Sequence, residues 1–419
     1  MASSLPHYET ITLDNGLEVI AIPMDNGSKV ISTDIFYKVG SRNEMMGKSG
    51  IAHMLEHMNF KSTKNLKAGE FDEEVKSIGG LNNASTGFDF THYYIKSSNE
   101  NLGKSLSLFA ELMQHLNLKD DEFQPERNVV AEERRWRTDN NPMGYLYFRL
   151  FNSAYIYHPY HWTPIGFMND IQTWTLEDIQ KFHQTYYQPK NAILIVTGDI
   201  TPETVFAEAK KQFAAIENTL DIPRVKTIEP EQDGARRIIV NKESEVEMLA
   251  ISFPIPNFQH PDQPKLSALS EMLSSGKSSR LNRTLIDEKR LVNQIYAYNM
   301  ENIDPGVFLF LAVCNNGVKA EEVEKEIWKI IRSLQDAPVK QAELDKVKIN
   351  TKADFIYSLE SSTSVADLFG SYLARGDIAP LMQYESAIEA LSPDEIQKIA
   401  KHYLIPEKST TLILRKGKE

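Results

Sequence analysis

The sequence predicts an α+β fold made of two duplicated α/β repeats of about 210 residues each. Three observations predict it. The first is a unit that recurs at a fixed distance. Leu176-Glu177-Asp178-Ile179-Gln180-Lys181, with Tyr186-Tyr187-Gln188-Pro189 after it, corresponds to Pro393-Asp394-Glu395-Ile396-Gln397-Lys398, with Tyr403-Leu404-Ile405-Pro406 after it. Ile179 and Ile396 are 217 positions apart, and so are Pro189 and Pro406. The second is that period-2 and helical patterns mix within each half. The third is a seam over 220–234, rich in Pro, Glu and Asp. The domains expected are therefore 1–219, a linker over 220–234, and 235–419.

In chain order, 10–22 and 30–39 alternate like strands, with an Asp14-Asn15-Gly16 turn inside the first. Residues 68–78 read as a short helix stopped by Gly79-Gly80. Residues 82–96 carry small and β-favouring side chains in strand order, and 102–116 has helical periodicity. A charged helix runs over 125–135, with Pro125 suited to its first turn. Glu132, Arg134, Arg135 and Arg137 fit its solvated face. Residues 145–157 are aromatic-rich, suited to a core or a chamber wall. Residues 175–187 form a helix stopped by Pro189, and 192–198 a buried strand. In the second half, Cys314 ends the apolar strand 307–314 and packs there.

Composition narrows the function. The net charge of −12 provides no basic excess for neutralising phosphates, so nucleic acid is not expected as a partner. One cysteine excludes an intrachain disulfide and a cysteine-based zinc site. No apolar run reaches the roughly 18 residues that would span a bilayer. Met1 to His7 has neither a basic n-region nor an apolar h-region. A soluble protein is expected, cytoplasmic by default, or periplasmic if a signal peptide was removed.

The chemistry centres on Gly50-Ile51-Ala52-His53-Met54-Leu55-Glu56-His57-Met58. In a helix, His53 and His57 at i and i+4 lie one turn apart on one face, so two imidazoles can reach one ion. Glu56 shares that face, and Ile51, Met54, Leu55 and Met58 bury the rest. The order H-x-x-E-H is that of a zinc peptidase motif. A third ligand should come from elsewhere. Glu126 and Glu133, at i and i+7 on the 125–135 helix, share a face. One can ligate while the other orients a ligand. The remaining histidines, His92, His115, His158, His161, His183, His260 and His402, lack ligand spacing and suit core or surface positions.

These residues resemble the pitrilysin, insulysin and mitochondrial processing peptidase family of zinc endopeptidases. There, H-x-x-E-H is followed about 76 residues later by a ligand glutamate, a spacing that leads from His57 to Glu133. The glutamate seven residues earlier matches Glu126. Further matches in order are Leu13-Asp14-Asn15-Gly16-Leu17, Val39-Gly40-Ser41-Arg42-Asn43-Glu44, Met58-Asn59-Phe60-Lys61-Ser62-Thr63 and the run from Gly79 to Tyr93. The resemblance implies a half-length bacterial-type member. Each repeat would be a mostly antiparallel sheet with helices packed on it, the two forming half of a clam-shell chamber. It implies Zn²⁺ held by His53, His57 and Glu133, with water in the fourth position and Glu56 taking its proton. Glu126 would support a ligand. Asn83, Ala84 and Thr86 would belong to an edge strand that pairs with an extended peptide substrate.

The second repeat departs from that pattern. Residues 265–273, in the place of the metal helix, contain no histidine. Family members whose second half assists catalysis carry an Arg and, seven residues later, a Tyr after a Ser-Ser-Arg-Leu segment. Aligned on Leu285 and Leu291, those positions are Ile286 and Asn293 here. A register in which Arg283 or Arg290 and Tyr296 or Tyr298 serve is the alternative. The expected function is a zinc-dependent endopeptidase acting on extended or unfolded peptides. A paralogous zinc-free subunit would supply the Arg and Tyr in a heterodimer, a homodimer being the other arrangement. The competing readings are a non-catalytic scaffold or assembly subunit and a small-molecule metallohydrolase.

Overall fold

A computed structural model describes residues 4–25 and 27–417. Met1 to Ser3, part of the segment read for an export signal, lie outside the described residues. The first sheet is built from β1 (Glu9–Thr12), β2 (Glu18–Pro23), β3 (Val30–Tyr37), β4 (Leu81–Thr86), β5 (Thr91–Ser98) and β6 (Ala192–Gly198). Its spatial order is β1-β2-β6-β3-β5-β4. The second contains β7 (Arg236–Lys242), β8 (Met248–Pro254), β9 (Val292–Met300), β10 (Val307–Cys314) and β11 (Thr410–Lys416), in the order β7-β11-β8-β10-β9. Both are mostly antiparallel, as expected. Each has one parallel pair, β2 with β6 and β7 with β11.

The helices before residue 220 are α1 (Ile51–Asn59), α2 (Glu70–Ser77), α3 (Leu102–His115), α4 (Asp120–Arg134), α5 (Pro142–Ala154), α6 (Met168–Thr173), α7 (Leu176–Tyr186) and α8 (Pro202–Phe213). After it come α9 (Gln263–Ser274), α10 (Ala320–Asp336), α11 (Gln341–Ser358), α12 (Ser362–Arg375), α13 (Ala379–Glu389) and α14 (Pro393–Tyr403). None is long and apolar enough to cross a membrane among the described residues. The repeat extends to the caps. Thr175 accepts from the Asp178 N–H at the start of α7, and Ser392 accepts from the Glu395 N–H at the start of α14, each as a capping box. Residues 220–232 form no helix or strand.

Two compact units emerge. One comprises Met1–Glu132, Trp162–Lys226 and Ile356–Leu381; the other comprises Glu133–His161, Thr227–Phe355 and Met382–Glu419. Compactness thus departs from the repeat boundaries by a reciprocal exchange. Helix α12, from the second repeat, packs on β3 and β6, and α5, from the first, packs on β8 and β11. The reason is burial: β6 is buried throughout and β3 almost throughout, so these strands need cover on both faces. The contact is close. A Cβ on Gly370 of α12 would come within 2.1 Å of the Phe36 ring. The aromatic run read over 145–157 is therefore largely α5 and its C-terminal loop, a cover for the second sheet.

The 10–22 stretch agrees with its reading, forming two antiparallel strands, β1 and β2, around the expected Asp14-Asn15-Gly16 turn. Several local expectations need correction. The run over 82–96, read as one strand, is a hairpin of β4 and β5. Helix α4 starts at Asp120, ahead of the expected start, and keeps Pro125 inside it. Asp120, Asp121 and Glu122 supply acidic first-turn residues there. It continues into a π-helical turn over Arg135–Asp139. Arg134 is not solvated: it is 4% exposed, bonds Asp139 Oδ1 and lies over the Phe148 ring at 3.9 Å.

Candidate metal centre

Helix α1 forms where the apolar spacing allows. Ile51, Ala52, Met54, Leu55 and Met58 are all buried, and burying each large side chain stabilises the fold by about 1.5–3 kcal/mol. His53, Glu56 and His57 occupy the remaining face. The helix starts at Gly50, whose φ of 85° is left-handed and whose added Cβ would meet the Ile165 carbonyl oxygen at 2.7 Å. With no side chain at the cap, the first-turn amides are served from a distance. Glu44 Oε2 accepts from Gly50 N–H and Glu44 Oε1 from Ala52 N–H, both at 2.8 Å. The Trp162 indole donates to Glu44 Oε2 at 2.7 Å. At the other end, Asn59 donates to the Leu55 carbonyl and to the Tyr93 hydroxyl on β5.

The His53 and His57 rings lie 4.7 Å apart, centroid to centroid. Helix α4 is continuous through Glu126 and Glu133, although the boundary between the compact units falls just before Glu133. One ligand atom from each of His53, His57 and Glu133 lies within 4.8 Å of the others. Among the described residues this is the single such group of histidine, cysteine or acidic side chains. Two imidazoles and one carboxylate are the donor set of a catalytic zinc site that keeps a coordination position open. The residues present therefore fit the ion.

The carboxylates around this group have distinct partners. Glu126 Oε1 lies 2.8 Å from His57 Nδ1, and Lys61 Nζ lies 2.5 Å from Glu126 Oε2. This leaves His57 Nε2 as the ring's other nitrogen. Burial pushes the Glu126 carboxyl up, but the bonds from His57 and Lys61 outweigh it and hold the group below its ordinary range. Glu133 Oε1 accepts from Arg137 Nε at 2.9 Å. Thr86, at the end of β4, donates to Glu56 Oε2 at 2.5 Å.

Strand β4 lies at the edge of its sheet, pairs only with β5 among the described residues, and lies beside α1. Ala84 pairs with Tyr93, and its N–H bonds the Asn83 side chain at 2.9 Å rather than β5. That amide therefore faces the open edge.

Elsewhere the expectations divide. His92 is buried, bonds Asp34 at 2.7 Å and stacks on Phe36. His158 is buried against Asp304. Burial drives His183 down to about 4. Cys314 is buried and free, its thiol pushed up to about 12 by burial first and by nearby acidic groups. Ile286 lies in a π-helical turn, Asn282–Glu288, and packs against the second core, whereas Asn293 lies on the edge strand β9. Tyr296 and Tyr298 are exposed on that strand, and Arg283 pairs with Glu288. Sequence reasoning missed Glu44, Trp162 and Lys61 as supports and missed the bond from Thr86 to Glu56. The one available signal was that Glu44 and Lys61 fall within matched segments.

The chain matches two sequence models. One is described as insulinase (peptidase family M16), over residues 19–160, and the other as peptidase M16 inactive domain, over residues 173–351. It is 56% identical to the zinc protease PqqE of Helicobacter pylori over 416 residues, covering 99% of this chain and 94% of that protein. It is 26% identical to the mitochondrial-processing peptidase subunit beta of Lentinula edodes, covering 95% and 88%. The crystal structure of a protease from Helicobacter pylori superposes with a TM-score of 0.97 at 55% identity, covering 98% of this chain and 100% of that one.

Proposed function

The chain belongs to the insulinase family of metallopeptidases, peptidase family M16, and on that premise we propose that it is a zinc-dependent endopeptidase of extended or unfolded peptides. The observation that carries this reading is the meeting of His53, His57 and Glu133 beside Glu56. Those three side chains would hold Zn²⁺. A bound zinc ion supplies Lewis acidity, polarising a peptide carbonyl and lowering the pKa of water.

The chain's own residues do the rest. Glu56 takes a proton from the attacking water and returns it to the leaving amine. Thr86 holds the Glu56 carboxylate in one orientation for that transfer. Glu126 keeps His57 turned with Nδ1 toward itself, leaving Nε2 as the nitrogen that would hold the ion. The outward amide of Ala84 gives a substrate strand a main-chain donor on the β4 edge, and Asn83, which occupies that amide, is displaced as the peptide pairs. Main-chain pairing accepts many sequences, which suits unfolded substrates.

In the second repeat, α9 carries no histidine, and Ile286 and Asn293 offer neither a guanidinium nor a phenol. The substrate-binding Arg and Tyr would come from a paralogous zinc-free subunit. The scaffold reading is separated by metal content. The small-molecule reading is separated by peptides of graded length.

The test uses two variants. Glu56→Gln is expected to keep zinc and lose 10²- to 10⁴-fold in turnover, on the order of a general base's contribution. His57→Ala is expected to lose both metal and turnover. Cleavage by Glu56→Gln at the wild-type rate would refute the role given to Glu56.

A further inference from the structure

We infer that Glu44 is a positioning residue for the reaction: its carboxylate, with Trp162 and Asp170, clamps the first turn of α1 so that His53 and Glu56 face the centre formed with His57. This rests on the peptidase reading above and adds a residue that the motif does not contain.

Helix α1 has an unusual start. Gly50 cannot cap the helix with a side chain, yet His53 lies in its first turn, where amide groups lack intrahelical partners. The start is also buried, with Ile51 and Ala52 almost inaccessible, so water is a poor substitute. Glu44, six residues before Gly50, supplies both acceptors. Each of its oxygens takes one amide, and the Trp162 indole fixes the carboxylate from behind. A carboxylate at a helix N-terminus also meets the positive end of the backbone dipole.

A second set of contacts joins the preceding residue to the same neighbouring segment. Ser49 N–H and Ser49 Oγ both donate to Asp170 Oδ2, at 3.0 and 2.5 Å, and Phe167 N–H donates to Ser49 Oγ at 2.9 Å. The backbones meet so closely that a Cβ on Gly166 would lie 2.5 Å from the Ser49 carbonyl. The 162–170 segment therefore grips the helix start at residues 49 and 50 directly, and at 50 and 52 through Glu44.

The loop carrying Glu44 is itself pinned. Ser41 and Arg42 amides donate to the Gly87 and Phe88 carbonyls in the turn after β4. Gly40 has no room for a Cβ there, since Gly87 O and Phe88 O would each lie 2.5 Å away. Glu44 thus ties the metal helix, the end of the substrate strand and the 162–170 segment together. An error at the first turn displaces His53 relative to His57 one turn later, which a two-imidazole site registers directly.

The experiment compares Glu44→Gln, Trp162→Phe and the wild-type full chain. The zinc dissociation constant is measured by competition with a chromophoric chelator, and kcat and KM are measured on an unstructured fluorogenic peptide at saturating zinc. Glu44→Gln keeps the shape but turns an N–H₂ toward an N–H donor. It is expected to weaken zinc on the order of 10- to 100-fold and to lower kcat with KM unchanged. Trp162→Phe is expected to move both in the same direction by less. Wild-type zinc affinity and kcat in Glu44→Gln would overturn the clamp while leaving the peptidase reading intact, and so would a change confined to KM. Should Glu44→Gln fail to fold, Trp162→Phe decides, and unchanged values there overturn the clamp. A wild-type chain that takes up no zinc would instead remove the peptidase reading itself.

Discussion

Removing the Glu126 carboxylate tests how far the centre depends on groups that need not touch the ion. In Glu126→Ala, His57 Nδ1 loses its acceptor at 2.8 Å and Lys61 Nζ loses its carboxylate at 2.5 Å. A hydrogen bond to a charged group contributes about 1.5–3 kcal/mol. If that orients His57 for the ion, its loss corresponds to roughly 10- to 150-fold in affinity. Partners of this kind typically account for a 10- to 100-fold effect. The Lys61 ammonium adds repulsion, because it stays near the site without compensation. Zinc binding in Glu126→Ala should therefore weaken on the order of 10- to 100-fold. Adding Lys61→Met should recover part of that loss, and Glu126→Gln, which keeps a carbonyl acceptor, should lose less. Calorimetric titration of the apoproteins with zinc gives the constants. Wild-type affinity in Glu126→Ala would refute the reasoning, as would a double variant weaker than the single one.

Thr86→Val removes the donor to Glu56 and should lower kcat by at least about 10-fold, the lower end for the loss of one hydrogen bond to a charged group, whereas Thr86→Ser should stay near wild type. Steady-state kinetics on both variants checks this. Ala84→Pro removes an amide that faces the open edge and leaves the β4–β5 ladder intact, so KM should rise about 2- to 10-fold, with the melting temperature as the control.

Much of the fold was legible because its signals are local. The helix carrying His53 and His57 showed its apolar face in nine residues, and α7 and α14 announced themselves through matching caps and prolines. The centre was legible in part. The two candidate histidines share one turn and could be read from spacing, whereas preferring Glu133 to Glu126 as the candidate third ligand came from the family resemblance. Helix α4 began earlier than expected because the acidic first turn outweighed the proline as a start signal. Arg134 looked solvated because nothing nearby in sequence shows that Phe148 lies beneath it. Glu44 and Trp162, 118 positions apart, meet only through the fold. The reciprocal exchange of α5 and α12 was invisible for the same reason, since periodicity reveals that a strand is buried and not which distant helix buries it.

That exchange constrains biosynthesis. The helix that completes the first sheet ends at Arg375, so a ribosome has polymerised most of the polypeptide before β3 and β6 obtain their second cover. Until then the nascent sheet exposes an apolar face, the kind of surface that chaperones hold and that aggregates if left unattended. A gene cut within residues 220–232 would yield two fragments, each missing a helix that the other encodes, and reconstitution would require them to be made together.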